Sequence, residues 1–148
     1  MMRMATAAAI LALSAGTVFI TTGAASANPA VDEAMVQQIT AAETDYEAEA
    51  FDQVVETLAP AVAPEALAAL SPDMQYEALG LYARALYRLG AFDDAHEAFI
   101  SLTLNPNATP ADWALRMDTA ERVGDAEDAE LAHDRLDEDD SDTAVTTA

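Results

Sequence analysis

Residues 90–95 read GAFDDA and residues 124–129 read GDAEDA, so one Gly-x-x-acid-Asp-Ala unit occurs twice with its glycines 34 residues apart. The same offset aligns Arg88 with Arg122 and Leu102 with Leu136. Two unrelated amphipathic helices would not normally agree to this extent. A fixed period of this length is typical of proteins built from repeated helical hairpins, which present a surface and carry no built-in chemistry.

Apolar residues recur at spacings of three and four along most of the chain, which is the pattern of amphipathic helices. A break is predicted near residues 47–50, and Pro60 and Pro64 end the second helix before a short turn over residues 65–70. Alternation with a period of two is missing, so the predicted fold class is all-α. The predicted helical segments are residues 31–58, 72–89, 92–104, 113–123 and 125–136.

The helix boundaries carry recognisable start and stop signals. Ser71-Pro72-Asp73 and Thr109-Pro110-Ala111-Asp112 are predicted starts, because Ser or Thr caps the first turn and Pro fits its first position. The acid that follows lies where the helix dipole favours it. Gly90 and Gly124 are placed to end helices in a left-handed conformation.

Residues 1–27 have the features of a cleaved signal peptide. Arg3 gives a positive start, residues 5–20 form an apolar run, and Ala25-Ser26-Ala27 offers small residues at a cleavage site. The alternative is an uncleaved membrane anchor, but the run is short for a membrane span. We therefore predict cleavage after Ala27 and a periplasmic or secreted protein. Without cysteine, it forms no disulfides.

The chain is strongly acidic. It carries 27 Asp and Glu residues against six basic residues, for a formal net charge of −21. All six basic residues are arginine, and cleavage would remove Arg3, which leaves five against the same 27 acids and a net charge of −22. Nucleic acid and anionic membrane surfaces are poor partners for such a chain.

These features resemble the tetratricopeptide repeat family, whose 34-residue unit is a helical hairpin with Gly at the turn and an aromatic residue after it. Three units of the chain can be aligned with it, at residues 31–60, 76–109 and 110–136. The central unit matches best, at Leu79, Ala83, Gly90, Phe92, Ala95, Phe99 and Pro106. The last unit supplies Trp113, Gly124, Ala129 and Leu136.

Two of the units depart from the family pattern. In the last unit Arg116 replaces a buried Leu and His133 replaces an aromatic residue, which indicates a partly exposed terminal unit. In the first unit Glu49 occupies the turn position. Phe51 lies 41 residues before Phe92, which indicates a seven-residue insertion within residues 60–70. The resemblance implies a short right-handed superhelix of three antiparallel hairpins, an all-α solenoid spanning residues 28–136.

The stacked hairpins are predicted to share a core, since a lone hairpin cannot bury its apolar face. The central unit contributes large apolar side chains that close against those of the units on either side. The predicted core residues are Leu79, Leu86, Leu89, Phe92, Phe99 and Leu102, with Phe51 and Leu58 on one side and Trp113, Ala120 and Leu136 on the other.

In the family, the first helix of each hairpin lines a concave groove, which places Arg84, Tyr87, Arg88 and Arg122 on one predicted face. Arg84 and Arg88 are four residues apart on a helix, so their like charges meet at a small cost unless an anion lies between them. These four residues are a candidate site for a carboxylate or an acidic peptide segment.

Internal charge balance is the alternative role for these arginines. Asp118 and Arg122 are spaced as an i,i+4 ion pair, and Glu77 or Asp93 lies close enough in sequence to pair with the other two. Surface pairs of this kind are common in helical proteins and contribute little to stability.

The sequence gives little support to an enzyme, because it lacks cysteine, a Gly-rich phosphate loop and a Gly-x-Ser-x-Gly motif. His96 and His133 each precede a carboxylate, but adjacent helix positions point to different faces and do not form a compact metal site. The acidic run at residues 137–142 lacks the spaced ligands of a calcium loop, so a disordered tail is predicted over residues 137–148. No catalytic residue, metal or cofactor is predicted.

The sequence therefore predicts a non-catalytic scaffold or adaptor in the bacterial cell envelope. It would bind a peptide or helix of a protein partner in its concave groove, without nucleic acid and without stable membrane insertion after cleavage. The alternative is a self-associating structural envelope protein, since a short array has two ends whose apolar surfaces can pair with another copy to form a homo-oligomer.

Overall fold

The structure, a computed structural model, describes the backbone of residues 29–145 and the side chains of residues 33–138. This part of the chain is all-helical, as predicted, and contains no strand. The predicted signal peptide lies outside the described residues. The helices are α1 (Pro29–Glu47), α2 (Phe51–Leu58), α3 (Pro64–Leu67), α4 (Pro72–Leu89), α5 (Phe92–Thr103), α6 (Pro110–Val123) and α7 (Ala126–Val145).

Both predicted helix starts are confirmed by hydrogen bonds at the first turn. The Ser71 hydroxyl accepts a bond of 3.4 Å from the N–H of Met74 at the start of α4. At the start of α6, the N–H of Thr109 donates to the Asp112 carboxylate at 2.9 Å. Pro72 and Pro110 occupy the first helical positions, where their missing N–H costs nothing.

Three pairs of consecutive helices, α1–α2, α4–α5 and α6–α7, pack as hairpins that share one type of turn. The turn residue is left-handed in each case, at Glu49 (φ 59°), Gly90 (φ 76°) and Gly124 (φ 82°). The next residue donates its N–H to the carbonyl five positions back, which is a Schellman cap. These bonds are Ala50 to Asp45 at 2.8 Å, Ala91 to Leu86 at 3.0 Å and Asp125 to Ala120 at 2.9 Å.

Glu49 is the side-chain-bearing member of this set, so Glu49→Gly is expected to stabilise the protein. Removing a Cβ from a left-handed position should raise the free energy of unfolding by about 0.5–1 kcal/mol, measured by urea denaturation. Gly124→Ala is the matched opposite, because a Cβ there would meet no atom within 4 Å and only the backbone cost remains. A Glu49→Gly variant less stable than the parent would contradict this reading of the turn.

The hairpins pack in chain order and bury two adjoining groups of apolar side chains. α1 and α2 pack against α4, and α5 packs against α6. One group contains Met35, Ile39, Val54 and Leu58, and the other contains Leu79, Leu86, Phe99 and Leu102. These side chains are nearly or fully removed from solvent, and Phe99 is the largest that is fully buried.

Most of the predicted core is confirmed, but Leu89 is 48% exposed. The buried face of α4 ends one turn earlier, at Leu86, and Leu89 is the last residue of the helix. Phe51, Phe92, Trp113 and Leu136 are half-buried. Leu79, Leu86, Phe99, Leu102, Leu58 and Ala120 are buried as predicted.

The predicted insertion forms the connection between α2 and α4. It contains α3, which accounts for the predicted short turn, and its residues Val62 and Leu67 pack against both apolar groups. Ala61 and Leu70 within it are buried. The insertion therefore covers the junction between the first two hairpins.

α7 extends beyond the predicted end of the repeat domain. Its backbone is helical to Val145, whereas the sequence predicted a disordered tail from residue 137. Residues 126–145 contain no Gly or Pro to stop the helix, and Arg135 donates to Glu138 one turn further on at 2.8 Å. No helix within residues 29–145 combines the length and the apolar character that a membrane span requires.

Candidate functional site

Arg84 is held by a buried carboxylate at the start of α6. Its guanidinium donates to Asp112 at 2.6 Å, and the Asp112 side chain is fully buried while that of Arg84 is 36% exposed. The same carboxylate accepts bonds from the Tyr76 hydroxyl at 2.8 Å and from the backbone N–H and hydroxyl of Thr109 at 2.9 and 2.8 Å. Arg84 thus joins α4 to α6.

Gly80 makes room for this arginine on α4. A Cβ at residue 80 would lie 3.0 Å from Nη1 of Arg84, closer than such contacts normally come.

The ion pair with Asp112 shows that the partner predicted for Arg84, Glu77 or Asp93, is wrong. Asp112 replaces it because the contact runs between hairpins, which the spacing of charges along one helix does not reveal.

Arg88 lies over an aromatic ring of the preceding hairpin. The centre of its guanidinium is 4.7 Å from the centroid of Phe51, the first residue of α2. Phe51 also packs edge-on against Tyr46, with ring centroids 5.1 Å apart. Among the ion pairs of residues 33–138 none involves Arg88, which is exposed.

Arg122 repeats this arrangement one hairpin later. Its guanidinium centre is 4.6 Å from the centroid of Phe92, the first residue of α5, and 5.7 Å from that of Tyr87. Tyr87 and Phe92 pack edge-on at 5.7 Å, as Tyr46 and Phe51 do. The predicted i,i+4 pair is also confirmed, because Arg122 donates to Asp118 at 2.6 Å.

The four predicted site residues therefore fall into two groups. Tyr87, which is half-buried, and the exposed Arg88 and Arg122 belong to one surface, in which each of these two arginines covers the aromatic residue after the preceding turn. We call the set Tyr46, Phe51, Tyr87, Arg88, Phe92 and Arg122 the arginine–aromatic surface. Arg84 belongs to the buried contact with Asp112 instead, so its charge is already neutralised.

Within the part of the chain that the structure describes, Arg88 is the cation of this surface that has no carboxylate partner. The hydrogen bond from Arg122 lowers the pKa of Asp118. A hydrogen bond with Asp118 in turn raises the pKa of Tyr87, so Tyr87 keeps its proton at neutral pH. An incoming carboxylate would have to compete with Asp118 for Arg122, whereas Arg88 offers its donors directly.

A second cluster, which the sequence did not predict, lies between α6 and α7. Arg116 was expected in a partly exposed unit, but the residue is only 7% exposed. Its Nε donates to Asp128 at 2.8 Å, its Nη2 donates to the other oxygen of the same carboxylate, and its Nη1 donates to the Thr103 hydroxyl at 2.8 Å. Burial is possible because this two-pronged pair supplies the opposite charge.

His96 lies beside this pair, and its Nε2 atom has no hydrogen-bond partner among the described residues. Its side chain is 8% exposed, and Nε2 is 3.7 Å from a carboxylate oxygen of Asp125 and 3.7 Å from one of Asp128. Its Nδ1 is 3.4 Å from the Thr119 hydroxyl. His133 is exposed and 3.5 Å from Asp137 on its own helix. Within the described residues, no group of three or more His, Asp or Glu side chains has the geometry of a metal site.

The sequence contained one signal for this cluster. Asp128 is the Asp of the Gly-x-x-acid-Asp-Ala unit that starts at Gly124. It lies 12 residues after Arg116, on the other side of a hairpin turn. An arginine at an apolar position of a repeat predicts a nearby carboxylate, because a buried charge needs a partner. The alignment alone suggested exposure instead.

Comparison of the chain with protein-family models, with curated proteins and with solved structures gave no match.

The buried carboxylates predict an acid-sensitive fold. Burial raises the pKa of Asp112, but hydrogen bonds from Thr109 and Tyr76 and the charge of Arg84 outweigh it and lower the pKa below 3.8. The hydrogen bond from Arg116 lowers the pKa of Asp128 in the same way. At low pH the unfolded chain therefore binds protons that the folded chain does not, so these groups lose their stabilising effect as the pH falls below about 4.

Asp112→Asn is the variant that isolates this effect, because protonation of the many other acids also changes the repulsion within the folded chain. The free energy of unfolding should be measured by urea denaturation of both proteins between about pH 6 and about pH 2.5. We expect the difference between the parent and Asp112→Asn to shrink on acidification. A difference that stays constant would show that Asp112 keeps no lowered pKa in the folded state.

Proposed function

We propose that the protein is a non-catalytic scaffold of the cell envelope that binds a peptide or helix of a protein partner at the arginine–aromatic surface. The observation that carries the proposal is the exposed Arg88 guanidinium, which has aromatic contacts but no ion pair among the described residues. Arginine on an aromatic face is a common anchor of protein interfaces. A carboxylate of the partner is the group that Arg88 fits best.

The fold supports a scaffold in a second way. Each of the three hairpins has one residue with a positive φ at its turn, and the hairpins pack in chain order. This arrangement is expected of a short right-handed solenoid of the tetratricopeptide type. In such an array, the first helices of the hairpins would line a concave groove, and Tyr87, Arg88 and Arg122 belong to α4 and α6, two of these helices. Export through the signal segment would place the groove in the periplasm or outside the cell.

The test is a charge reversal that leaves the fold intact. Arg88→Glu removes this cation without breaking an ion pair of the described residues, whereas a change at Arg84 would leave the buried Asp112 without its arginine. The parent, Arg88→Glu and the control Arg135→Glu, which reverses an exposed arginine on α7, should be used as baits on envelope extract of the source organism. We expect one partner to be captured by the parent and by Arg135→Glu, and lost with Arg88→Glu.

Helicity and melting temperature of the three baits serve as the fold control. Equal capture by Arg88→Glu and the parent would contradict the proposed site. Capture of only further copies of the chain would instead favour the self-associating structural protein, for which Leu131 on α7, 49% exposed, offers an apolar contact. That alternative predicts a change in oligomer mass with Leu131→Glu.

A further inference from the structure

A groove between the α2–α4 connection and α5, with part of α4 at its floor, has a different chemistry. It consists of two adjoining cavities of about 280 and 180 Å³ that share Leu79 and Ser101. One wall is the α2–α4 connection, through Val62 and Leu67, and the other is α5, through Asp94 and Glu97. We call this the insertion groove. It shares no residue with the arginine–aromatic surface.

The insertion creates this groove. The connection between α2 and α4 spans residues 59–71, whereas that between α5 and α6 spans only residues 104–109. The extra length equals the seven residues by which the first unit exceeds the repeat period. A chain segment added at this point provides a wall that the regular hairpins lack.

The floor of the groove is apolar and its rim is acidic. Leu79 and Ala98 are 5% and 7% exposed, and Leu104 at one end is 79% exposed, the largest value among the exposed large apolar side chains of the described part. Asp94 and Glu97 lie one turn apart on α5, and both are exposed. Neither has a basic partner within residues 33–138, and no arginine lines either cavity.

The size of the cavities favours side chains of a polypeptide over a small molecule. Small-molecule pockets usually enclose about 300–1,000 Å³, and each of these cavities is smaller and open to solvent. Two adjoining cavities of this size suit successive apolar side chains on one face of a helix. The unpaired carboxylates beside them favour a neighbouring positive charge and disfavour a second copy of this acidic chain.

We propose that the insertion groove binds a cationic amphipathic segment of a protein partner, in which apolar side chains enter the cavities and Lys or Arg pairs with Asp94 and Glu97. The contact is independent of Arg88, so the protein would carry two binding surfaces that select opposite charges. The insertion groove, unlike the arginine–aromatic surface, exists because this chain departs from a regular repeat.

The probe is a labelled helical peptide of about 15 residues with Leu at helical i,i+4 spacing and Lys beside each Leu. Binding to the full-length protein would be followed by fluorescence anisotropy at about 0.15 M salt, where long-range attraction is screened. Two matched peptides serve as controls, one with Glu in place of Lys and one with Ser in place of Leu. We expect only the first peptide to bind.

Variants of the protein separate groove binding from general attraction to a chain of charge −21. Asp94→Asn/Glu97→Gln should weaken binding about tenfold, whereas Glu127→Gln/Glu130→Gln removes the same charge from exposed positions on α7 and should change it less than about twofold. Ser101→Trp, which fills the groove from an exposed position, should also weaken binding about tenfold while helicity is unchanged.

Three results would overturn the proposal: no binding of the Leu/Lys peptide, equal weakening by the two double variants, or undiminished binding of the Ser-substituted peptide. Arg88→Glu should bind the peptide as the parent does. If the insertion groove does not bind the peptide, the proposed function at the arginine–aromatic surface is unaffected. If Arg88→Glu does not change partner capture, the proposal for the insertion groove is likewise unaffected.

Discussion

Replacing Phe99 with alanine should lower the free energy of unfolding by about 3–5 kcal/mol. Phe99 is the largest fully buried side chain of the described part, and it packs with Leu79, Leu86 and Leu102 between α4 and α5. Truncation removes apolar contacts and leaves a cavity that neighbouring helices can close only in part. A domain of this size has a total stability of about 5–15 kcal/mol, so the variant would be close to unfolding.

Denaturation by urea, followed by far-ultraviolet circular dichroism, measures this loss. Phe99→Leu keeps most of the volume and should cost less than about 1.5 kcal/mol. Leu104→Ala is the surface control, because that side chain is 79% exposed and should change stability by less than about 0.5 kcal/mol. A similar loss for Phe99→Ala and Leu104→Ala would mean that the core does not lie where the structure places it.

Replacing Arg116 with leucine, the residue type that the repeat family has at this position, should destabilise the protein by about 3–5 kcal/mol. The change leaves Asp128, whose side chain is 13% exposed, as a largely buried carboxylate without its two-pronged partner. Thr103 is not left unpaired, because its hydroxyl also donates to the carbonyl of Phe99 at 2.9 Å. The expected loss of stability therefore comes mainly from the Asp128 carboxylate that has lost its arginine.

The second half of this experiment is the double variant Arg116→Leu/Asp128→Leu. An apolar pair of similar volume is often as stable as a buried ion pair, so the double variant should recover to within about 1 kcal/mol of the parent. Urea denaturation of the parent, both single variants and the double variant gives the coupling energy between the two residues. Additive single effects would refute the buried pair as the cause.

The sequence predicted the helices because their signals are local. Ser71, Thr109 and Gly90 act on the turn in which they lie, and the apolar spacing of α4 and α5 reports which face is buried. The alignment placed Glu49 at the turn position, but Glu seldom adopts a positive φ, so its left-handed conformation was not predicted and is shown by the structure.

The site was predicted less well, because its contacts cross between helices that are distant in sequence. The partner of Arg84 is 28 residues away at Asp112, and the ring under Arg88 belongs to the preceding hairpin. Only the Asp118–Arg122 pair, four residues apart on one helix, could be predicted from spacing alone. Arg116 was misplaced because the alignment gave its position in the repeat but not its partner.

The packing of the hairpins in chain order has a consequence for how the molecule opens. In the described part, α7 packs mainly against α6 and otherwise approaches α5 near His96, whereas α4 packs against α1, α2 and α5. Backbone amides of α7 should therefore exchange with solvent deuterium sooner than those of α4, since fewer contacts must be broken to free them. Opening would then begin at the carboxyl-terminal hairpin and could proceed while the first two hairpins, which carry Arg88 and the insertion groove, remain largely folded.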